Sequence, residues 1–188
     1  MNKLIRNICY LVIVFTCSSQ VYSQDTPDNS SINLSASRQA SAAVASAHPL
    51  ATQAGIEIMR HGGNAFDAAI AVSASLAVVE PYSSGIGGGG FFMLYQAKTD
   101  KYSMLDARET APLHASKDMF LDKNGSIVTG ASLTGALSAA IPGIPAAMVV
   151  LAKKYGKLSL AQSLSPAIRY AHSGFEVDAH YQNMVASR

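Results

Sequence analysis

The sequence predicts an α/β domain of the α+β type, in which apolar helices cover an antiparallel sheet. Residues 65–79 have almost no polar face, which is typical of a helix buried inside a domain. Residues 91–96 and 102–107 are two short, largely apolar runs separated by the turn sequence KTDK, the pattern of a β-hairpin. Because the first run is apolar on both of its alternating faces, we expect both sides of the sheet to be covered.

Two helices are predicted in tandem before the hairpin. The first lies within HPLATQAGIEIMRHGG and ends at Gly62-Gly63. The second begins after Asn64, whose side chain suits an N-cap, and Asp67 three residues later completes the pattern of a capping box. Pro81 marks its end, because proline cannot donate the backbone hydrogen bond that would continue a helix.

Two further helices are predicted in the C-terminal part of the chain. The segment 142–156 has prolines at its start, two lysines near its end and then a glycine, an order typical of one complete helix. Ser165 and Pro166 suit the N-cap and first position of another helix, which we expect to end at Gly174.

The N-terminus has the pattern of a secretory signal peptide over residues 1–23. Two basic residues precede an apolar segment from Ile8 to Cys17, and the small Ser23 suits a cleavage site. A lipoprotein anchor at Cys17 is an alternative, although the preceding threonine is larger than expected there. We expect a flexible leader at 24–37, a domain at 38–188, and a secreted or periplasmic protein with no membrane association after signal cleavage.

Composition excludes several other classes. The formal net charge is +2, and the basic residues are scattered, so we expect no nucleic-acid partner. Both cysteines lie in the signal segment, which leaves the mature chain without a thiol. The five histidines lack the spacing of metal ligands, and we expect neither a metal nor another cofactor.

The glycine-rich stretch SSGIGGGGFF has two interpretations. Gly85, Gly87 and Gly90 fit G-x-G-x-x-G, a pattern that binds a dinucleotide pyrophosphate when it joins a strand to a following helix. Here a predicted helix precedes the glycines and a predicted strand follows them, which is the opposite order. In the other interpretation, the glycines permit positive φ angles and close backbone packing.

The charged residues of LDARETAP are the strongest candidates for a site. Asp106, Arg108 and Glu109 lie together at the end of a strand that otherwise belongs to the interior. The planar guanidinium of Arg108 can bind a substrate carboxylate through two parallel hydrogen bonds. Alternatively, Arg108 forms a structural ion pair with Glu109 or Asp106. The residue types alone leave both hypotheses open.

A series of motifs resembles one family. GGNAFDAAIAVSASLAVVEPYSSGIGGGGFFMLY and LDARETAP are followed in order by DMF, PG, KYG, PAI and GF. Over residues 38–180 this series resembles the N-terminal part of the large subunit of the γ-glutamyltransferases, also called γ-glutamyltranspeptidases. The resemblance implies an N-terminal-nucleophile hydrolase with a four-layer αββα sandwich, of which this chain represents a part.

The resemblance also implies a function. Family members are exported precursors that cleave themselves into a large and a small subunit. They take the γ-glutamyl group from glutathione or related γ-glutamyl compounds as an acyl-enzyme, and pass it to water or to acceptor amino acids and peptides. The residue corresponding to Arg108 binds the α-carboxylate of the γ-glutamyl group. Glu109 matches the acidic neighbour, which we expect to orient Arg108.

The sequence departs from the family pattern in lacking the nucleophile. The family uses a threonine at the new N-terminus of the small subunit, activated by its own α-amine. No threonine here has that cleavage context, so we assign no catalytic residue and expect the 188-residue chain alone to be inactive. Three hypotheses remain: part of a γ-glutamyltransferase, a non-catalytic exported binder of γ-glutamyl compounds or inactive truncated gene product, and a dinucleotide-binding module.

Overall fold

A computed structural model describes residues 42–187. The expected signal peptide at 1–23 and the flexible leader at 24–37 lie outside the described residues. Five α-helices and one two-stranded antiparallel sheet are present in the described part of the chain. They follow one another as α1 (Pro49–Arg60), α2 (Ala65–Val79), β1 (Phe91–Gln96), β2 (Lys101–Asp106), α3 (Ile144–Lys154), α4 (Leu160–Ser173) and α5 (Ala179–Ala186).

Helix α2 begins as its sequence predicts. The Asn64 side chain accepts hydrogen bonds from the backbone N–H groups of Phe66 and Asp67, at 2.9 and 3.1 Å. In return, the Asp67 carboxylate accepts the backbone N–H of Asn64 at 2.8 Å, which completes the capping box. The helix is central to the domain, and Ile70 and Ala71 on it are fully buried.

Asp67 also joins α2 to the segment that connects α3 and α4. Its side chain is fully buried and accepts the backbone N–H groups of Lys157 and Leu158, at 2.9 and 3.4 Å. The Asn64 amide donates to the carbonyl oxygen of Tyr155 at 2.7 Å, beside these bonds. Two residues that initiate α2 therefore also hold a loop about 90 residues further along the chain.

Helices cover one face of the hairpin. Phe91 pairs with Asp106 at one end of the ladder, and Gln96 pairs with Lys101 at the turn. The inward side chains of this sheet pack with Ile70, Met148 and Leu151 in the main apolar core. Those inward side chains are Phe92, Leu94 and Leu105.

The opposite face of the hairpin is open to solvent within residues 42–187. Its large apolar side chains are between 47% and 75% exposed. They are Phe91, Met93, Tyr95, Tyr102 and Met104. The expectation that both faces are covered is therefore met on one face only, where residues of α2, α3 and α4 pack against the sheet.

Helix α4 begins earlier than predicted. Its N-cap is Ser159, whose hydroxyl accepts the backbone N–H of Gln162, while the Gln162 side chain accepts that of Ser159. Ser165 and Pro166 therefore lie inside the helix, and the prediction of an N-cap at Ser165 was wrong. The missing N–H of Pro166 removes one hydrogen bond, but this residue is completely buried, so its packing offsets part of that loss.

The segment between the hairpin and α3 is largely irregular. Asp122 heads the predicted turn at DKNGS, where its carboxylate accepts the N–H groups of Asn124 and Ser126 and Gly125 has a φ of 80°. A single 3-10 turn, Ala136–Ser138, interrupts the rest. In the part of the chain that the structure describes, no helix is long and apolar enough to cross a membrane.

The glycine-rich stretch joins a helix to a strand. It follows α2 and leads directly into β1 at Phe91. A dinucleotide-binding loop requires a strand followed by a helix, so that the helix N-terminus can bind the phosphate. The observed order is the reverse, which removes the structural basis of the dinucleotide-binding hypothesis.

Candidate functional site

The hairpin ladder continues beyond its two named strands and places Arg108. The Gly90 N–H donates to the Ala107 carbonyl at 3.1 Å, and the Ala107 N–H donates to the Gly90 carbonyl at 2.9 Å. Ala107 is 5% exposed and lies on the inward side. Because side chains alternate along an extended chain, Arg108 follows on the outward side, next to the end of the covered sheet.

A third segment, which leads into α3, is hydrogen-bonded to the residues that follow Arg108 and to the glycine-rich loop. Thr110 and Ile141 exchange backbone hydrogen bonds of 3.1 and 2.9 Å. The N–H of Gly143 donates to the Gly88 carbonyl at 3.2 Å, at the start of α3. A Cβ atom at Gly143 would overlap the carbonyl group of Ala107, so only glycine fits where these segments meet.

Close approach explains the central glycines. A Cβ atom at Gly89 would lie 2.6 Å from Oε2 of Glu109 and 2.7 Å from both the Glu109 nitrogen and the Arg108 Cα. One at Gly88 would lie 3.3 Å from Oε1 of Glu109. No glycine between residues 85 and 90 has a positive φ, so close packing, and not positive φ, is the reason for glycine there.

The Arg108 side chain is exposed and has partners on two sides. Its Nε atom lies 3.6 Å from Oε2 of Glu109, and 65% of the Arg108 side chain is accessible to solvent against 33% for Glu109. The guanidinium carbon lies 6.0 Å from the centre of the Phe91 ring. Asp106 does not pair with the guanidinium but accepts the backbone N–H of Arg108 at 2.9 Å.

This arrangement leaves the outer end of the guanidinium available. The ion pair with Glu109 uses Nε, and no other ion pair of Arg108 occurs within residues 42–187. The two terminal nitrogens form the edge that binds a carboxylate through two parallel hydrogen bonds. The ion pair between Arg108 and Glu109 that the sequence offered as one hypothesis is present, and the two terminal nitrogens of Arg108 have no ion-pair partner within residues 42–187.

A polar cavity of about 320 Å³ adjoins Glu109. Its walls include Ser83, Ser84 and Gly88 on the glycine-rich loop, and Ile144 at the start of α3. A larger groove of about 440 Å³ lies between α2, α3 and α4, but its lining contains no charged side chain. Because its walls are polar and include a carboxylate, the cavity beside Glu109 suits a polar ligand better than this groove does.

Sequence reasoning did not identify two residues of the site, Phe91 and Gly143. The register of the hairpin could have indicated Phe91. Gly89 lies opposite Arg108 in the continued ladder, and Phe91, two residues further along, is the diagonal neighbour of Arg108. The PG motif marked Gly143 without indicating which segment it contacts. Within the described part of the chain, no group of three or more histidine, cysteine, aspartate or glutamate side chains could hold a metal ion.

Comparison with known proteins defines the class. The crystal structure of Helicobacter pylori gamma-glutamyltranspeptidase superposes with a TM-score of 0.73 at 42% identity, over 78% of this chain and 42% of that one. The Pseudomonas nitroreducens gamma-glutamyltranspeptidase complexed with L-DON gives 0.72 at 38% identity, over 78% and 43%. The described fold is thus part of an N-terminal-nucleophile hydrolase, with a helical layer on one face of a sheet.

Sequence comparison gives the family. The model of the Gamma-glutamyltranspeptidase family matches residues 51–188, and the chain belongs to that family. The glutathione hydrolase proenzyme of Bacillus subtilis is 42% identical over 137 residues, and that of Escherichia coli is 43% identical over 135 residues. Each of these matches covers 72% of this chain and 23% of the relative, so the chain spans about a quarter of the length of these relatives.

Proposed function

We propose that the complete gene product transfers or hydrolyses γ-glutamyl groups, and that Arg108 binds the α-carboxylate of the γ-glutamyl substrate. The observation that carries this proposal is the free outer edge of the Arg108 guanidinium. The side chain is 65% exposed at the end of the covered sheet, and its described ion pair uses Nε alone. Glutathione hydrolase relatives support the substrate class.

Glu109 orients Arg108 in this proposal. Its carboxylate faces Nε at 3.6 Å and is half as exposed as the guanidinium. A long flexible side chain loses less conformational entropy on binding when a neighbour already restricts it. The close fit of Gly88 and Gly89 against Glu109 fixes the carboxylate in turn.

The nucleophile comes from a small subunit of the same precursor. Relatives named proenzymes support this part of the proposal. The acyl-enzyme forms on that subunit, and water or an acceptor amino acid or peptide then takes the γ-glutamyl group. The 188-residue chain by itself binds part of the substrate and is inactive.

The exposed face of the hairpin packs against the remainder of the precursor. Met93, Tyr102 and Met104 are each at least 65% exposed. A contiguous apolar patch of this kind is typical of a protein interface. We propose that the second sheet of the αββα sandwich covers it.

The protein is exported in this proposal. The signal peptide pattern at 1–23 directs it to the periplasm or the medium, where glutathione and other γ-glutamyl compounds are its substrates.

The test compares Arg108→Ala with Arg169→Ala in the complete gene product. Arg169 is a matched control, because it also pairs with a carboxylate, at 2.6 Å to Glu57, and lies 5.7 Å from an aromatic ring, but on α4. Hydrogen bonds to charged groups contribute about 1.5–3 kcal/mol, so we expect Arg108→Ala to weaken L-glutamate binding by about 10- to 150-fold. Calorimetry measures the affinity.

Three outcomes separate the hypotheses. Weakened binding in Arg108→Ala but not in Arg169→Ala, together with γ-glutamyl hydrolysis by the unmodified protein, supports the proposal. Binding without any hydrolysis favours the non-catalytic binder. Unchanged L-glutamate affinity in Arg108→Ala overturns the role of Arg108.

A further inference from the structure

Phe91 and Arg108 are diagonal neighbours on the open face of the sheet. Phe91 pairs with Asp106, and the next pair of the ladder is Gly90 with Ala107. Arg108 therefore lies two residues beyond the partner of Phe91, on the same face. Diagonal neighbours in an antiparallel sheet are about 7–8 Å apart, within reach of an aromatic ring and a long side chain.

The Phe91 ring restricts the guanidinium on a side that Glu109 does not reach. The distance of 6.0 Å between the guanidinium carbon and the ring centre is within the range of a cation–π contact. Glu109 approaches the Nε edge instead, at 3.6 Å. The two contacts involve different atoms of the guanidinium, so together they limit the positions it can take.

The residue opposite Arg108 in the ladder has no side chain. Continuing the ladder from the Gly90–Ala107 pair places Gly89 opposite Arg108. Gly89 has no side chain to occupy the outward face beside the guanidinium. The place of such a side chain is taken by the Arg108 Cα atom and the Glu109 carboxylate, and the two terminal nitrogens of Arg108 have no ion-pair partner within residues 42–187.

From these contacts we infer that Phe91 is a positioning residue for substrate binding, which holds the Arg108 guanidinium with its terminal nitrogens directed at the α-carboxylate. This inference rests on the proposed function of Arg108. The ring acts through Arg108 and does not itself bind the substrate.

The test uses two ligands that differ only in the α-carboxylate, with the complete gene product. L-Glutamate carries that carboxylate, and 4-aminobutyrate lacks it. An exposed cation–π contact contributes about 0.5–1 kcal/mol, so Phe91→Leu should weaken L-glutamate binding by about two- to fivefold. Phe91→Tyr keeps an aromatic ring and should bind L-glutamate as tightly as the unmodified protein does. Neither Phe91 variant should change the affinity for 4-aminobutyrate.

Met93→Leu is the matched control. Met93 lies on the same face of β1, two residues further along, and is 75% exposed. This variant should bind both ligands as the unmodified protein does. Thermal unfolding of each variant identifies any loss of folded protein.

The outcomes distinguish this inference from the proposed function. If Arg108→Ala weakens L-glutamate binding and Phe91→Leu does not, the role of Phe91 is wrong and that of Arg108 stands. If Phe91→Leu weakens both ligands equally, the ring supports the structure in general, and the positioning role is overturned. If Arg108→Ala has no effect on L-glutamate, both proposals fail.

Discussion

A Cβ atom at Gly89 would lie 2.7 Å from the Cα atom of Arg108, which is closer than two such carbons approach in folded proteins. The missing side chain of Gly89 thus determines how near the glycine-rich loop comes to the chain that carries Arg108. The loop connects α2 to the hairpin, and the same contact fixes the backbone of Glu109. Glycine at position 89 is therefore needed to place Arg108 and Glu109, and not only to form the loop.

Gly89→Ala should weaken both stability and ligand binding. The obstructing atoms include backbone atoms of Arg108 and Glu109, which cannot rotate away. Overpacking of this kind costs about 1–3 kcal/mol, and we expect the displaced guanidinium to lower the affinity for L-glutamate. Gly87→Ala is the control, because nothing lies within 4 Å of its added Cβ. Equal unfolding temperatures and affinities for the two variants would contradict this assignment.

Gly143→Ala should disrupt the junction between the start of α3 and the end of the hairpin. Its Cβ atom would overlap the carbonyl of Ala107, which itself accepts the N–H of Gly90. We expect a loss of at least about 1–3 kcal/mol in the free energy of unfolding, measured with urea. Gly85→Ala, whose nearest atom is 3.8 Å away, should lose much less. The prediction fails if the two midpoints coincide.

Asp67→Asn should destabilise the fold although it preserves the shape of the side chain. Two backbone N–H groups donate to Oδ2 of this buried carboxylate and a third donates to Oδ1, so an amide nitrogen in place of either oxygen leaves at least one of them without its acceptor. Leaving a buried donor unpaired costs about 1–3 kcal/mol. Asp118→Asn, at an exposed position, should have little effect on chemical denaturation. An unchanged midpoint in Asp67→Asn would show that these bonds do not contribute.

Tyr82 should ionise at higher pH than an ordinary tyrosine. Burial raises its pKa above 10.0, and the negative charges of Glu80 and Asp178 raise the pKa further. The folded protein therefore holds this proton more tightly than the unfolded chain, and the associated stability is present below pH 10 and lost as the pH rises through the pKa of folded Tyr82.

The pKa of Tyr82 can be followed by carbon-13 NMR of labelled tyrosine, with Tyr82→Phe to assign the signal. Glu80→Gln removes one of the negative charges and should lower the pKa towards 10.0. Glu57→Gln, on α1, is the control and should leave it unchanged. A pKa of Tyr82 at or below 10.0 in the unmodified protein would refute the prediction.

Local signals in the sequence identified the elements that depend on neighbouring residues. The capping box of Asn64 and Asp67 predicted the start of α2, and the structure confirms both hydrogen bonds. The KTDK turn predicted the hairpin, and the structure confirms that the strands on either side of it pair antiparallel. Each of these features is decided within a few residues, where side-chain chemistry and backbone geometry are directly coupled.

Features that depend on distant residues could not be predicted in the same way. The start of α4 is an exception, because Ser159 and Gln162 form a capping box that is local in sequence and that the prediction of Ser165 overlooked. Gly143 packs against Ala107, which is 36 residues away in the sequence. Neither segment contains a sequence signal that identifies the other as its contact. The helix α5, which has no buried residue, lacked any apolar pattern that would have indicated it.

The buried bond between Asp67 and Lys157 has a consequence for how the protein is made. Asp67 is synthesised about 90 residues before the loop that contains two of its three backbone N–H donors, those of Lys157 and Leu158. At a synthesis rate of about 5–20 residues per second, the carboxylate waits roughly 5–18 s on the ribosome without those partners. The two strands of the hairpin and the helices α1 and α2 are neighbours in the chain, whereas the bonds of Asp67 to Lys157 and Leu158 can form only after residue 158 has left the ribosome.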